Sequence, residues 1–445
     1  MTDSTRLSRR GFLRRTTAGI VAGATALGAP AAGRVLGANE RIGVGVIGVG
    51  GQGGRHLERL CRMQAANQGV AVVGVCDVWD KRLNAAKARA GAPGYRDYRD
   101  LLQRDDLDAV VIATPDHWHA KMTIDSMAAG KDVYCEKPMT LYWEQAKNVC
   151  ACADRTGRVL QVGVQSTSED RFWKANQLIR QGAVGKLIWS STAYCRNIPG
   201  GDWNSPLDPD AGPANLDWDM WLGWRFGLAP KRPWDPERYF RFRKYWDYSG
   251  GVATDLLYHS LAQLEIALGP QFPVRVVANG GSHVCHEREV PDTFHVIIDY
   301  PPEPGASSGH TVCLFATQAN TTDVEECIRG QEATLRFIGP GVVVQPEGPF
   351  ERALLEKARD GGFPGANALT KQNDRGEEVL AALSALQQPR PDHMANFLEC
   401  VRTRQQPHLN AERGYRVTVP IALSVLSFRE KRVKRFDPDA QTLVA

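Results

Sequence analysis

Residues 41–54 read RIGVGVIGVGGQGG, and this stretch decides the fold. An apolar run predicts a short buried strand, and a helical pattern of apolar residues follows the last glycines. Between them lies Gly48-x-Gly50-x-x-Gly53, with Gln52 inside the turn. In a strand–turn–helix context these glycines allow a tight bend, leave room for a pyrophosphate and let the helix pack closely. We therefore predict a dinucleotide site with Gly48, Gly50, Gln52 and Gly53 among its contacts.

A second predicted strand, residues 70–76, ends at Asp77, which lies 24 residues beyond Gly53. An acidic residue about 20 positions after the glycine motif binds the ribose hydroxyls in dinucleotide folds. Because a carboxylate there repels a 2′-phosphate, Asp77 favours NAD over NADP. A doubly wound domain without a nucleotide is the less favoured alternative.

The first 33 residues resemble an export signal. Arg9 and Arg10 form a twin-arginine pattern, followed by a weakly apolar run at residues 18–29 and small residues for cleavage. That run is too short for a stable membrane span. We predict export to the periplasm in the folded state, so a cofactor can be bound before export.

Charge and cysteine content limit the classes of partner. The formal net charge is +4, but residues 1–31 hold five arginines and one aspartate, so the rest has 49 basic and 49 acidic residues. A neutral body argues against nucleic acid or an anionic membrane as partner. Ten cysteines are present, and we expect mostly free thiols because a protein folded before export first meets a reducing compartment.

Residues 40–165 alternate short apolar strands with helices, which predicts a doubly wound parallel sheet. One strand ends in Thr114-Pro115-Asp116-His117-Trp118-His119, and the next ends in Glu136-Lys137-Pro138. Ligands bind at the carboxyl ends of strands in such sheets. Both loops are therefore predicted to line the site.

These motifs together resemble the glucose–fructose oxidoreductase, inositol dehydrogenase and rhizopine-catabolism (Gfo/Idh/MocA) family. The resemblance implies a Rossmann domain at 40–165 and an α+β domain at 166–445, with a large, mostly antiparallel open sheet often used for homo-oligomerisation. It implies a nicotinamide cofactor and a sugar or polyol substrate. It also implies cofactor contacts from Thr114, Pro115, His119 and Glu136; Asp116 stands where the family often has Asn.

Lys137 is a candidate proton-transfer residue because alcohol oxidation requires a base within hydrogen-bond reach of the hydroxyl. It would also contact the cofactor. His117 and His119 are a weak signal for metal, since no acidic or thiol ligands accompany them, and we predict no metal site.

In the second domain, Tyr194, Arg196 and Asn197 on a predicted strand are candidate sugar contacts. An irregular insert at about 200–248 is dense in aromatic residues, and we count Trp246 among its candidate substrate contacts. Flat rings suit the apolar faces of sugars, but a packed lid or a subunit contact is an equal alternative. Six of the eleven tryptophans lie in the insert: Trp203, Trp218, Trp221, Trp224, Trp234 and Trp246.

Asp255 and His259 are four residues apart on a predicted helix, so they share one face and can hydrogen-bond. A carboxylate that orients a histidine makes it a competent acid or base. The resemblance implies the same pair, which would lie across the cofactor from Lys137. Residues 345–390 are polar and are expected to be surface excursions, whereas two C-terminal helices at 393–404 and 412–429 should pack back on the body.

The sequence therefore predicts an NAD-dependent sugar or polyol oxidoreductase in which Lys137 and His259 manage the substrate's proton. An alternative is a glycosidase that oxidises the sugar transiently with a tightly bound NAD and then eliminates the glycosidic bond. Sugar–sugar transhydrogenation and a degenerate binding protein also remain open.

Overall fold

The computed structural model describes residues 41–302 and 309–444. The twin-arginine segment at 1–33 lies outside the described residues. The nucleotide domain contains a six-stranded parallel sheet in the order β3-β2-β1-β4-β5-β6, which is the doubly wound arrangement predicted. Its strands are β1 Ile42–Ile47, β2 Val70–Cys76, β3 Gly94–Tyr95, β4 Ala109–Ile112, β5 Asp132–Glu136 and β6 Leu160–Gly163.

Helices connect these strands and continue into the second domain. The first six are α1 Gly51–Ala65, α2 Asp80–Ala90, α3 Tyr98–Leu102, α4 Asp116–Ala128, α5 Trp143–Thr156 and α6 Asp170–Arg180. The remaining six are α7 Trp218–Leu222, α8 Pro236–Phe240, α9 Tyr258–Leu268, α10 Glu351–Arg359, α11 His393–Thr403 and α12 Ala411–Glu430. One π-helical turn, Ala253–Leu257, leads directly into α9.

The glycine turn has the geometry that the sequence predicts. Gly48 has φ of +80°, a conformation that glycine adopts without steric cost. A Cβ on Gly53 would lie 1.7 Å from the carbonyl oxygen of Gly48, so only glycine lets α1 approach β1 this closely. The turn therefore sets the position of the helix relative to the sheet.

The second domain is built on a twelve-stranded mixed sheet, as predicted. Along the main path its order is β15-β16-β14-β13-β12-β7-β10-β9-β8-β17-β18, with β11 paired to β7; the β7–β10 pair is parallel and the other pairs are antiparallel. The strands are β7 Leu187–Asn197, β8 Arg275–Gly281, β9 Thr293–Asp299, β10 Thr311–Thr317, β11 Ala319–Asn320, β12 Cys327–Gly330, β13 Ala333–Ile338, β14 Gly341–Pro346, β15 Asn367–Gln372, β16 Glu378–Leu386, β17 Lys434–Asp437 and β18 Thr442–Val444.

Burial alternates along the central strands of this sheet, so one face is covered and the other is open. Val312, Leu314 and Ala316 of β10 are buried, whereas Trp189 and Ile297 on neighbouring strands are exposed. The covered face packs against helices that include α9 and α12. Such alternation is typical of a sheet with only one buried face.

The expectation for residues 345–390 is wrong. This stretch supplies α10 and the strands β15 and β16, and the two strands extend the sheet at one edge. Every residue of β15 is exposed, so the strand has no apolar alternation that sequence reasoning could detect. Backbone pairing with β16, rather than burial of apolar side chains, holds β15 in the sheet.

Among the described residues, all ten cysteines are free thiols. No group of three or more histidine, cysteine, aspartate or glutamate residues in this part of the chain is placed to hold a metal ion. The described helices include none that is both long and apolar enough to cross a membrane.

Replacing Gly53 by Ala should lower the free energy of unfolding by about 3 kcal/mol, because the new methyl group overlaps the Gly48 carbonyl and overpacking costs about 1–3 kcal/mol or more. The matched control is Gly51→Ala, where a Cβ meets nothing within 4 Å. Urea denaturation of both variants without cofactor measures the difference. Equal stabilities would contradict the role given to Gly53.

Candidate active site

A cavity of about 1160 Å³ opens at the carboxyl ends of the nucleotide-domain strands. It exceeds the roughly 300–1,000 Å³ usual for a small-molecule pocket, so it has room for a dinucleotide and a sugar together. The structure brings most of the predicted site residues to its wall. They are Gly48, Gly50, Gln52, Asp77, Thr114, Pro115, Glu136, Lys137, Arg196, Asp255 and His259.

The wall at the glycine turn suits a dinucleotide. Helix α1 begins at Gly51 with no side-chain cap and no acidic residue in its first turn, so its N–H groups and partial positive charge are available to a phosphate. Thr114 lines the cavity, and its buried hydroxyl has no hydrogen-bond partner among the described residues. A bound dinucleotide would meet the start of α1 at this wall.

Asp77 lies at the end of β2 beside the glycine turn. Its two carboxylate oxygens each accept one backbone N–H, from Val49 at 3.0 Å and from Trp79 at 3.0 Å. Burial raises the pKa of Asp77 from its usual value, while the positive charge of Arg82 opposes that rise. A carboxylate oxygen has a second lone pair, so Asp77 can still accept a ribose hydroxyl.

Glu136 is fixed at the end of β5 by hydrogen bonds from the side chains around it. Its Oε1 lies 2.7 Å from His56 Nε2 and also accepts from Gln52 at 3.3 Å and Gln165 at 3.2 Å. Burial alone would raise the pKa of Glu136, but the hydrogen bond from His56, the charge of His56 and that of Lys137 lower it to about 2. Glu136 is therefore an anion in the wall, next in the chain to Lys137.

At the end of the cavity away from the glycine turn, three side chains donate hydrogen bonds to Asp255. Its Oδ1 accepts from Lys137 Nζ at 2.7 Å and from Arg243 Nε at 2.8 Å, and its Oδ2 accepts from Trp203 Nε1 at 3.0 Å. Lys137 also donates to the Asp255 backbone carbonyl at 2.7 Å. Although burial would raise the pKa of Asp255, the charges of Lys137 and Arg243 hold it well below its usual range.

His259 lines the same end of the cavity, with its ring 6.0 Å from that of Tyr194. Burial and the nearby positive charge of Lys137 lower the pKa of His259 to about 3, so the ring is neutral at physiological pH. The sequence predicts a hydrogen bond between Asp255 and His259, but none joins their side chains in the described part of the chain. Charged donors bind a carboxylate more strongly than a neutral imidazole, and Lys137 and Arg243 occupy Asp255 instead.

The aromatic insert forms a small core of its own and closes over the nucleotide domain. Trp218 and Trp221 stack with ring centroids 4.7 Å apart, within a buried cluster that also contains Trp79 of the nucleotide domain. Lys81 on α2 donates to Asp208 at 2.7 Å and to Asp210 at 2.8 Å. The sequence left open whether the insert contacts the sugar or forms a packed lid or a subunit contact. Most of the insert is packed as a lid on the nucleotide domain.

Backbone pairing reinforces this contact between the insert and the nucleotide domain. The residues after β2 pair with residues before α7 through an isolated bridge between Trp79 and Leu216. The Asp80 N–H also donates to Asn215, and the Asp217 N–H donates to Val78. The insert is thus held beside the half of the cavity that contains Asp77.

The predicted substrate residues separate into two groups. Arg196 lines the cavity and donates to the Tyr194 hydroxyl at 2.8 Å, so Tyr194 supports it from behind. Asn197 is exposed and Trp246 packs against Phe428, and neither is among the residues that line the cavity. The structure does not bring these two to the site, and Trp203 is the tryptophan that reaches Asp255.

The two histidines of α4 are held by contacts with backbone carbonyls. His117 Nε2 lies 3.1 Å from the Trp221 carbonyl oxygen. The His119 ring is almost fully buried behind the cavity wall, between the carbonyls of Thr114 and Pro138. Asp116 accepts from the hydroxyls of Ser249 at 2.8 Å and Thr254 at 3.0 Å.

Sequence reasoning missed Trp203 and Arg243, although both lie in the insert whose aromatic density pointed to function. Trp203 has φ of +64°, a conformation that is rare for a bulky residue and often marks a functional site. Arg243 stands in a run of basic and aromatic residues without a distinguishing motif. Only the three-dimensional proximity to Asp255 selects them.

The chain belongs to the Gfo/Idh/MocA family. Two models of this oxidoreductase family match the chain. The model of its NAD-binding Rossmann fold matches residues 42–164, and the model of its C-terminal alpha/beta domain matches residues 229–435. The dinucleotide turn, the Glu136–Lys137 loop and the Asp255–His259 helix all lie within these two matches.

Among curated relatives, a glycosyl hydrolase family 109 protein of Shewanella baltica strain OS195 is 33% identical over 220 residues, which is 43% of this chain and 47% of that protein. An alpha-N-acetylgalactosaminidase of Shewanella oneidensis is 32% identical over 220 residues, with the same coverage. The chain thus matches about half the length of these relatives.

Solved structures share the fold across nearly the whole chain. The WlbA dehydrogenase from Bordetella pertussis, in complex with NADH and UDP-GlcNAcA, is 19% identical with a TM-score of 0.61, covering 89% of this chain and 99% of that one. Myo-inositol 2-dehydrogenase from Lactobacillus plantarum is 18% identical with a TM-score of 0.58, covering 89% and 100%. At this identity the likeness extends to the fold alone.

Asp255→Asn should cost about 3–5 kcal/mol of folding free energy, because it leaves Lys137 and Arg243 close together in the wall without their anion. Lys137→Met should cost less, since Arg243 still pairs with Asp255. Asp219→Asn, at an exposed ion pair, is the control and should change stability by about 0.5 kcal/mol or less. Urea denaturation measures all three, and a more stable Asp255→Asn protein would contradict the structural role of this carboxylate.

Proposed function

We propose that the protein is an NAD-dependent glycosidase that oxidises a sugar hydroxyl transiently, eliminates the glycosidic bond and then reduces the sugar again. The observation that carries this proposal is the position of the insert. It closes over the half of the cavity that contains Asp77 and is held there by backbone pairing and by the Lys81 ion pairs. A cofactor enclosed in this way suits a reaction that needs no exchange of NADH.

The partial similarity to glycosyl hydrolase family 109 proteins supports the same reaction class. The Rossmann fold and the proton-transferring residues serve a net sugar dehydrogenase equally well, so that reaction is the second candidate. The two differ in whether the hydride returns to the same sugar.

Elimination of the group at C1 determines which neighbouring sugar carbons must react. Loss of a group from C1 is eased when C2–H is acidic, and a ketone at C3 makes it so. The bound nicotinamide would supply the hydride acceptor for C3 and the donor that later restores the alcohol. Water adds to C1 after the aglycone leaves, so the net reaction is hydrolysis.

His259 is the base in this scheme because it is neutral and faces the cavity. It accepts the C3 hydroxyl proton as hydride leaves the same carbon, and it releases that proton to solvent. In its neutral form it then removes the C2 proton, the electron pair forms the C1–C2 double bond, and the aglycone oxygen takes the proton as the C1–O bond breaks. The reverse transfers add water and restore C2–H. When hydride returns to C3, a proton taken from solvent by way of His259 returns to the C3 oxygen.

Lys137 and Arg243 stabilise the negative charge that develops on the C3 oxygen. Lys137 is paired with Asp255, so it acts in this scheme as a fixed cation rather than as the free base. The terminal nitrogens of Arg243 have no hydrogen-bond partner among the described residues, although its side chain lines the cavity. Fixed cations at the place where charge develops are an effective source of catalysis.

We also propose NAD rather than NADP as the cofactor, since Asp77 at the end of β2 would lie against a 2′-phosphate. Arg82 nearby could offset part of this repulsion. Titration of the apoprotein with both dinucleotides, followed by fluorescence, measures the preference, and tighter binding of NADP would refute it.

The decisive experiment is turnover of p-nitrophenyl α-N-acetylgalactosaminide and other aryl glycosides in D₂O. We expect phenol release without accumulation of NADH, and one solvent deuteron at C2 of the released sugar. His259→Gln should lose both signals. NADH accumulation with free sugars would favour the dehydrogenase, and phenol release without deuterium at C2 would exclude elimination.

The activity should stay nearly constant between pH 7 and pH 5. His259 must be neutral to accept a proton, and its pKa of about 3 keeps it so over this range. A histidine with an ordinary pKa near 6.5 would instead lose about 30-fold in kcat/KM by pH 5. Circular dichroism at each pH checks that the fold persists, and an acid limb centred near pH 6.5 would contradict the assignment.

Two expectations from the sequence remain proposals. We propose export by the twin-arginine route on the basis of Arg9 and Arg10, which fractionation of producing cells would test. We propose a homo-oligomer through the open face of the large sheet, where Trp189 and Ile297 are exposed. Sedimentation of wild type against Trp189→Glu tests the second, and a monomeric wild type would refute it.

A further inference from the structure

The ring of His119 lies between two backbone carbonyl oxygens, which can only accept hydrogen bonds, and its other hydrogen-bonding neighbour is Cys135. Its Nδ1 lies 2.6 Å from the Pro138 carbonyl oxygen, and its Nε2 lies 2.9 Å from the Thr114 carbonyl oxygen. A carbonyl oxygen can only accept, and a neutral imidazole carries only one N–H. Both contacts are hydrogen bonds only when both nitrogens are protonated, which makes the ring an imidazolium.

Two other buried histidines, which lack such a pair of carbonyl acceptors, have lowered pKa values. His117 has one carbonyl acceptor at Nε2 and no partner at Nδ1 among the described residues, and burial lowers its pKa to about 3. His393 faces the Val162 carbonyl at Nε2 and the Ser168 hydroxyl, which can donate, at Nδ1. Burial lowers the pKa of His393 to about 4. One N–H satisfies each of these rings, whereas His119 needs two.

The other groups around His119 also favour the charged form. Burial lowers the pKa of His119, but the negative charge of Cys135, the hydrogen bond between Cys135 and the ring, the charge of Asp116 and the Pro138 carbonyl outweigh it and raise the pKa to about 9. Cys135 stands on β5 and Asp116 at the start of α4. No positively charged group is among the main influences on the ring.

The position of this cation connects it to the cavity. Thr114 and Lys137 line the cavity. The His119 ring contacts the backbone carbonyl of Thr114 and that of Pro138, which directly follows Lys137. The ring therefore ties together the two loops that end β4 and β5. Its charge lies behind the part of the cavity wall that Thr114 and Lys137 form.

We propose that His119 is a positioning residue that remains a buried imidazolium at neutral pH, cross-links the Thr114 and Lys137–Pro138 loops, and biases a bound nicotinamide toward its reduced form. The bias has a simple cause: the oxidised ring is a cation and the reduced ring is neutral, so a nearby positive charge disfavours the oxidised state. Such a bias promotes the first, oxidative step on any alcohol. The proposal requires nicotinamide binding but not the glycosidase reaction.

The protonation state is tested without any variant by neutron diffraction from deuterium-exchanged crystals at neutral pD. We expect nuclear density for deuterons on both Nδ1 and Nε2 of His119, and on one nitrogen each of His117 and His393. A single deuteron on His119 would overturn the proposal. In Cys135→Ser the second deuteron should persist; its loss would mean that the thiol, not the carbonyl pair, holds the charge, and would also overturn it.

The effect on the cofactor is tested with His119→Gln against His117→Gln, a matched change on the same helix that removes no charge. Each protein is equilibrated with NAD(H) and an external redox couple, and the ratio of bound reduced to oxidised cofactor is measured by absorbance. We expect that ratio to fall at least about three-fold in His119→Gln and to stay unchanged in His117→Gln. An unchanged ratio in both would refute the bias, whether or not glycosides are cleaved.

Discussion

One buried carboxylate joins the parts of this protein that carry its chemistry. Asp255 accepts hydrogen bonds from Lys137 of the nucleotide domain and from Trp203 and Arg243 of the insert, while it belongs itself to the turn before α9. A buried anion is costly unless cations and donors surround it, so these three segments must meet for the site to be stable. The same requirement that stabilises the fold thus assembles the reactive end of the cavity.

Two histidines near the cavity are both buried but differ in charge state because their partners differ. For His259, burial and the charge of Lys137 both favour the neutral ring, and the pKa falls to about 3. His119 has two carbonyl acceptors and an acidic neighbourhood, and its pKa rises to about 9. A neutral imidazole in the cavity and a cation behind its wall suit the proposed reaction, in which a base takes a proton and positive charge favours hydride transfer to the nicotinamide.

The insert covers part of the crevice of the Rossmann sheet. A Rossmann sheet with an open crevice allows a dinucleotide to exchange, whereas here the residues after β2 pair with the insert. Cation–π contacts of Arg82 with Trp79 and Tyr239 add to that closure. The result is a cavity that the insert walls beside Asp77 and that also contains Lys137, His259 and Arg243.

The sequence by itself determined the doubly wound sheet, the glycine turn, Asp77 and the two loops at the strand ends. These features depend on local spacing: Gly53 must lack a Cβ, and parallel strands place their following loops at one edge. Only the tertiary structure decided that Asp255 pairs with Lys137 rather than His259, that Trp203 and not Trp246 reaches the site, and that β15 is a strand. Such choices are competitions between partners far apart in the chain, and local patterns carry no information about which of them is closer or more strongly charged.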